Sequence, residues 1–560
     1  MTRMLERFAI PTLISILLLA FPVMAEARNL GIMVEASANK RYLIRVHFAG
    51  DSDGETEFVL PNEWGGQREL FKSISGLTVS PASAVLTKTE KPHVLAISHR
   101  AGQELIVSYE ISNGFEGHYR NDIRYRPVID DAYIHWIGNA VWALPAWDDA
   151  TEINVKLEWN RLPERWVIAN SFAAGKRSQN IRTTKGELRQ AVFVAGDFRL
   201  VRAKANGNPV NLAIRGTWKF TDAELVEMTR RVIEIERNFF SDHSQKYYLV
   251  TLVPIDGGGP NSISIGGTGL TDSFALFATT NAGLSQFRQL LAHEYAHNWI
   301  PGKLGKMPGH NEQALYWFSE GFTEFYTYEL LHRGGLITPA EYLDRYNELI
   351  REYYTLPVRE APNDRVVTDF WSNRHMHRLP YLRGFLFAAN MHYTIKKASG
   401  GKYSLDNVIF DLIRASQSKK QELSFESLAS AFGARLAYDP APLMRQQLLE
   451  GQTIKPHPDA LGEGYSQQNV RIPLFELGFD FEKLVKNRVV TDLDPESSAF
   501  AAGLRNGQQL TAGVSFTFGD ISRPIELRVK DREGEKSVKF LPVAREKMEV
   551  PQYTFNRLSH

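Results

Sequence analysis

The chain has 560 residues, of which 43% are hydrophobic, 11% aromatic and 23% charged. That is the composition of a folded protein with a large core, and it excludes a disordered tail, a collagen-like repeat or a coiled-coil rod. Lys and Arg number 65 against 64 Asp and Glu, and Cys is absent, so there is no basic surplus for nucleic acid, no disulfide framework, no thiol nucleophile and no Cys-ligated metal.

Arg3 and Arg7 make a basic start, 8–21 is almost wholly apolar, and Pro22-Val23-Met24-Ala25 is a small-residue cleavage pattern. This predicts a secretory signal peptide over 1–25; the apolar run is short of the ~20 residues of a membrane span. The expected product is exported, to a bacterial periplasm, with no stable membrane insertion after cleavage. Losing Arg3, Arg7 and Glu6 with the signal would leave the charges balanced.

From 26 to 210 short apolar or alternating runs, such as Tyr42-Leu43-Ile44-Arg45-Val46-His47-Phe48 and Ile153-Asn154-Val155-Lys156-Leu157, are punctuated by Gly, Asn, Asp and Pro. They predict a β-sandwich-like domain, with Tyr133-Ile134-His135-Trp136-Ile137 in its core. From 211 to 457 the period changes to that of helices. Thr221-Asp222 can cap a helix to about Phe240, Tyr247 to Pro254 reads as a strand, and helices are expected near 284–299, 313–332, 338–354, 380–398, 404–416 and 424–435. Between strand and helices lies a Gly-rich run, 256–269. It lacks the Lys-Ser/Thr ending of a phosphate loop. It reads either as an edge strand able to take an extended peptide by strand addition or as a loop over a cleft, with Gly258 and Gly259 as candidate substrate-binding positions. Strand and turn signals return over 458–550.

The informative segment is His293-Glu294-Tyr295-Ala296-His297. On a helix, residues four apart lie one turn above each other, so His293 and His297 can offer two imidazoles to one cation. Glu294, offset by one position, is placed to act on water and not to ligate. Glu312, Glu320 and Glu324 follow. Glu320 and Glu324, four apart on an aromatic-rich helix, are costly to bury without a cation. The simplest assignment makes Glu320 the third ligand and puts Glu324 behind it, orienting a ligand histidine. Two His and one Glu leave the fourth position of a zinc ion (Zn2+) to water, as in catalytic sites. Gly321 lets helices approach closely. Tyr381, in Leu379-Pro380-Tyr381-Leu382-Arg383-Gly384, is either an oxyanion donor or a packing residue at a helix start. His375 and His377 read as a polar loop, and His310 as surface.

At these residues the chain resembles the glycyl aminopeptidase family of zinc metallopeptidases, relatives of the aminopeptidase N group among the gluzincins. The motifs are His293 to Trp299, Trp317 to Tyr326, and Tyr381-Leu382-Arg383-Gly384. The resemblance implies one zinc on His293, His297 and Glu320, Glu294 as general base, Tyr381 as oxyanion stabiliser, and peptides or proteins as substrates. It implies a multidomain α+β fold: an N-terminal β-sandwich-like domain, a largely helical thermolysin-like zinc peptidase domain and a C-terminal PDZ-like domain. Leu477-Gly478-Phe479 and Asp494 to Gln508 are similar to the carboxylate-binding loop of PDZ domains and to the turn and helix after it, with Gln508 where Asp is usual. The family carries a Gly-Gly-Leu-Glu-His-like strand before the catalytic helix, and its relatives hold the substrate amine with that Glu. The stretch around Gly258-Gly259-Pro260-Asn261-Ser262 has none, so cleavage from the amino terminus and internal cleavage both stay open. The rival expectation is a periplasmic peptide-binding scaffold with a structural zinc.

Overall fold

The computed structural model describes residues 27–257, 263–309, 311–418, 422–514, 516 and 519–556. The segment 1–25, Gly258, Gly259 and His310 lie outside the described residues. No helix among the described residues is long and apolar enough to cross a membrane.

The first part is all sheet. Six strands run in the order Ser178–Thr184, Glu152–Asn160, Arg28–Ala36, Tyr42–Ala49, Glu104–Ile111, Ile74–Ser80, beside a four-stranded sheet around Glu55–Val59 and Val94–Ser98. Tyr42–Ala49 and Glu152–Asn160 bury every second side chain, as a sheet with one covered face requires. Ile32, Ile44, Val46, Phe58, Ile97, Val107 and Trp136 meet in one apolar core. A third sheet contains Tyr133–Ile137, whose five residues are all buried, as expected of core.

That third sheet packs on the sheet of the second part. Its order is Arg199–Ala205, Asn208–Ile214, Tyr248–Pro254, Ser273–Ala278, Ile265–Leu270, so the hairpin 199–214 belongs with the strands that follow it. The inner strands bury nearly every residue, Tyr248–Pro254 and Ser273–Ala278 alike, because both faces are covered. Leu249, Val253, Ala275 and Phe277 face Val192, Val194 and Tyr133 of the third sheet. Val250, Leu252, Phe274 and Leu276 face the helices. His135 Nε2 to Thr251 Oγ1 at 3.0 Å and Ser171 Oγ to Ser273 Oγ at 2.7 Å cross this seam.

The helix Asp222–Phe240 starts at Thr221 with a reciprocal capping box to Glu224. The helix expected over 313–332 is interrupted: Tyr316–Ser319 and Gly321–Arg333 are separate, with Glu320 between them. The helix expected from 380 begins at Arg374 and runs to Ala398 with Pro380 inside it. A helix starting at 380 would put Pro380 in its first turn, but Asn373 is the cap, its Oδ1 accepting from His375 and Met376 N–H. His375 and His377 therefore stand on a helix, not in a polar loop.

Glycine sets the spacing of these helices. A Cβ on Gly321 would lie 2.3 Å from Gly384 Cα, and one on Gly384 would lie 1.8 Å from the Trp317 carbonyl. No side chain fits at that distance. Gly384→Ala should force Arg374–Ala398 away from the Glu320 junction and destabilise the protein by about 1–3 kcal/mol or more, the cost of overpacking. A calorimetric melting temperature within one degree of wild type would contradict this packing.

The chain ends in a long antiparallel pair, Tyr465–Phe475 with Val543–Phe555, and a three-stranded sheet, Gln509–Leu510, Ile525–Asp531, Gly534–Phe540. The latter has its own core of Leu477, Leu484, Val490, Leu527, Val529 and Phe540. The last strand is tied to the helices instead: Asn347 Nδ2 donates to the Tyr553 carbonyl and Tyr553 N–H donates back to Asn347 Oδ1, both at 2.8 Å.

Candidate metal centre

The helix Leu284–Ala296 follows the inner strand Ser273–Ala278 by a short turn, and Gly283 N–H is capped by Gln286 Oε1 at 3.0 Å. Phe287, Leu291, Ala292 and Tyr295 anchor it in the core. The regular helix is shorter than the 284–299 expected, but His297 keeps helical dihedrals, φ −60° and ψ −18°. The two rings therefore meet edge to face one turn apart, 4.8 Å between centroids and 88° between planes.

Each imidazole is held from behind. His293 Nδ1 donates to Glu324 Oε2 at 3.1 Å, and His297 Nδ1 donates to the Ile300 carbonyl at 2.8 Å. A carbonyl only accepts, so the proton of His297 sits on Nδ1 and its Nε2 lone pair points the other way. Both Nε2 atoms turn toward Glu320 Oε2, at 3.2 Å from His293 and 3.4 Å from His297. One ligand atom each from His293, His297 and Glu320 falls within 4.8 Å of the others, and this is the one such cluster among the described residues. Two imidazole nitrogens and one carboxylate oxygen, His293 buried and His297 and Glu320 partly so, form a donor set that fits zinc. Glu312 is not part of it; its carboxylate accepts from Tyr316 at the surface.

The electrostatics are those of a site made for positive charge. Burial opposes ionisation of Glu320, yet the two histidines hold its pKa far below the carboxylate range. Burial likewise opposes charge on Glu324, and His293, Arg378 and Arg345 bring it down to about 2. For His293, burial is outweighed by the Glu320 and Glu324 carboxylates, which lift the imidazole to about 10. Arg345 and Arg378 each lie 3.8 Å from Glu324 Oε1, and Arg378 is also paired with Glu352 at 2.8 Å. Sequence reasoning missed both arginines. The available signal was Arg378, three residues before Tyr381 and so on the same helix face.

Glu294 points into a cleft of about 910 Å³ that also contains His297, Glu320 and Tyr381. One wall is Ile265–Leu270, the free edge of the central sheet, and Gly269 N–H donates to Glu294 Oε2 at 2.9 Å. The edge strand expected in the Gly-rich run thus lies at its end, and the glycines of this strand that line the cleft are Gly266, Gly267 and Gly269. No carboxylate occurs along this strand. On the opposite wall the Tyr381 ring lies nearly parallel to His293 and to His377, at 5.8 and 5.9 Å. Burial, followed by the Glu320 and Glu294 carboxylates, pushes its phenol well above the ordinary range. It stays protonated and can donate a hydrogen bond. The first part of the chain also reaches the cleft, through Arg124 and Tyr125, which nothing in the sequence pattern marked.

A central sheet carrying a helix with His four residues apart, and a glutamate returned from the next helical stretch, is the arrangement that the resemblance to gluzincin zinc metallopeptidases implies. Residues 286–376 match the family described as M61 glycyl aminopeptidase; the match contains all three candidate ligands and Glu324 and stops short of Tyr381. A search of curated proteins by sequence returns no match. Among solved structures, an aminopeptidase N family protein from Idiomarina loihiensis is similar over 95% of this chain and 98% of its own, with TM-score 0.69 and 15% identity. A two-domain M1 zinc metallopeptidase bound to L-tryptophan is similar over 77% of this chain and 96% of its own, with TM-score 0.50 and 13% identity. At such identities these likenesses are likenesses of fold. The family match places the segment around the cleft among the zinc-dependent peptidases.

Proposed function

We propose that the protein hydrolyses peptide bonds with a single zinc held by His293, His297 and Glu320, with Glu294 as general base. The observation that carries this is the convergence of three ligand atoms, two of them on rings fixed by Glu324 and the Ile300 carbonyl. Zinc bound there would act as a Lewis acid on the substrate carbonyl and on water. Glu294 takes the proton of the attacking water and returns it to the leaving amine; its bond to Gly269 N–H keeps the carboxylate at the cleft wall. Tyr381 donates to the carbonyl oxygen as negative charge develops on it. The strand Ile265–Leu270, last in its sheet among the described residues, offers the backbone groups an extended peptide needs.

The same reading takes 1–25 as an export signal and the periplasm as destination, because of the basic start and small-residue cleavage pattern. It takes the C-terminal unit as PDZ-like. Supporting this, Gly478 in Leu477-Gly478-Phe479 has φ +77° and lies against Ser497, which caps the short helix Ser498–Ala501. Gln508 stands in for the usual Asp and bonds Asp531 Oδ2 at 2.8 Å.

The direct test is incubation with a mixed peptide library with and without a chelator, read by mass spectrometry. Chelator-sensitive cleavage restored by zinc is expected, and the new termini distinguish cleavage at the amino end from internal cleavage. Binding without cleavage would make the protein a scaffold and defeat the proposal.

A further inference from the structure

We propose that the cleft selects substrates carrying a carboxylate, an acidic side chain or a free carboxy terminus, through Arg124. This rests on the peptidase reading above and adds a specificity-determining residue to it.

Arg124 comes from the first part of the chain, beside the short turn Asn121–Ile123, and faces the same cleft as Glu294 and Tyr381. Its guanidinium is held in place. It lies over the Tyr125 ring, 4.3 Å from the centroid, and Nη1 donates to the Asn121 carbonyl at 2.7 Å. Tyr125 is in turn tied to the edge strand, its hydroxyl donating to the Gly267 carbonyl at 2.8 Å. The seat exists because residue 266 is glycine: a Cβ there would lie 3.0 Å from Arg124 Nε and 2.5 Å from Asn121 Oδ1.

What the seat lacks is a counter-charge. Neighbouring Arg120 is paired with Asp122 at 3.2 Å. Arg124 forms no ion pair among the described residues, and 258–262, at the start of the Gly-rich run, contains no acid. Its Nε is buried without a hydrogen-bond partner. A buried donor left unpaired is costly, and a guanidinium is a fork that matches a carboxylate in two parallel bonds. The carboxylates of the cleft are otherwise engaged: Glu320 on the histidines, Glu294 on Gly269, Glu187 on Thr183 and Thr184, and Asp272 on Gln245. The strand Ile265–Leu270 itself carries no acidic side chain to meet a substrate amine, while Arg124 beside it offers a positive charge without an ion-pair partner among the described residues to a substrate carboxylate.

The probes are tripeptides that differ only as Glu or Gln at each position, each with a free or an amidated carboxy terminus. Their dissociation constants are measured by calorimetry on zinc-loaded Glu294→Gln protein, which holds peptides without cleaving them, and their kcat/KM on wild type. Peptides bearing the recognised carboxylate should bind roughly ten-fold tighter or more than their neutral partners. The Glu/Gln pairs report a side-chain source and the free/amide pairs a carboxy-terminal one. Adding Arg124→Gln should abolish the preference while leaving the neutral peptides and zinc content unchanged, and Arg124→Lys should restore part of it. Equal affinities in every pair, or a preference that survives Arg124→Gln, overturns the inference while cleavage by wild type leaves the peptidase reading intact. Failure of wild type to cleave any probe defeats the peptidase reading instead, and the binding comparison still decides the role of Arg124.

Discussion

Glu294→Gln should keep the metal and lower kcat/KM by roughly 10²–10⁴-fold, the range of a positioned general base. Gln is nearly the same shape and can still accept from Gly269 N–H, so the cleft wall and the helix are undisturbed. It cannot take a proton. Because Glu294 lies one position from His293, it is absent from the convergent ligand set, and metal analysis should show one zinc per chain as in wild type. Wild-type turnover in this variant would remove Glu294 from the chemistry. Loss of zinc would make it a ligand instead.

His293→Ala should lose stoichiometric zinc. The effect extends past one missing ligand, because His293 bridges two carboxylates, bonded to the partly buried Glu320 through Nε2 and to the buried Glu324 through Nδ1. Glu324 keeps Arg345 and Arg378 nearby, but Glu320 keeps only His297 as a cationic neighbour among the described residues, with the neutral Tyr381 phenol beside it. Removing one partner of a buried charged pair costs about 3–5 kcal/mol, so the metal-free variant should also melt earlier than metal-free wild type. Glu324→Gln serves as the contrast: it leaves all three ligands and loosens one ring, and weakens zinc binding by about 10–100-fold. Zinc at full occupancy in His293→Ala after dialysis against chelator would show that the ion sits elsewhere.

Much of the centre was legible in the sequence because it is built from two local pairs. His293 with His297 and Glu320 with Glu324 are each four residues apart, and helical geometry alone puts each pair on one face. The offset of Glu294 follows from the same arithmetic. The Thr221 cap, the buried strand at 248–254 and the free edge in the Gly-rich run were also local signals, carried by capping chemistry and apolar runs. Local signals misled where two rules competed. Pro380 resembles a helix-opening residue, yet Asn373 caps the helix earlier and the proline rides inside. The helix expected through Glu320 is only loosened there: Glu320 lies between two regular pieces but keeps right-handed helical dihedrals, and its N–H still bonds the Tyr316 carbonyl.

The sequence by itself determined the ligand types, their helical spacing and the absence of any sulfur donor. Only the tertiary structure decided that the two pairs meet, because that depends on the distance between helices and not on the order of residues within them. Gly321 and Gly384 bring the Glu320 junction and the Tyr381 helix into contact across 63 positions of sequence, and no periodicity encodes that approach. Tyr381, equally a packing residue or an oxyanion donor by spacing, stands beside Glu320 because of it. The same holds for Arg124. It looks like any other arginine in a charged turn until the seam between the first two parts of the chain carries it to the cleft and Gly266 makes room for its guanidinium.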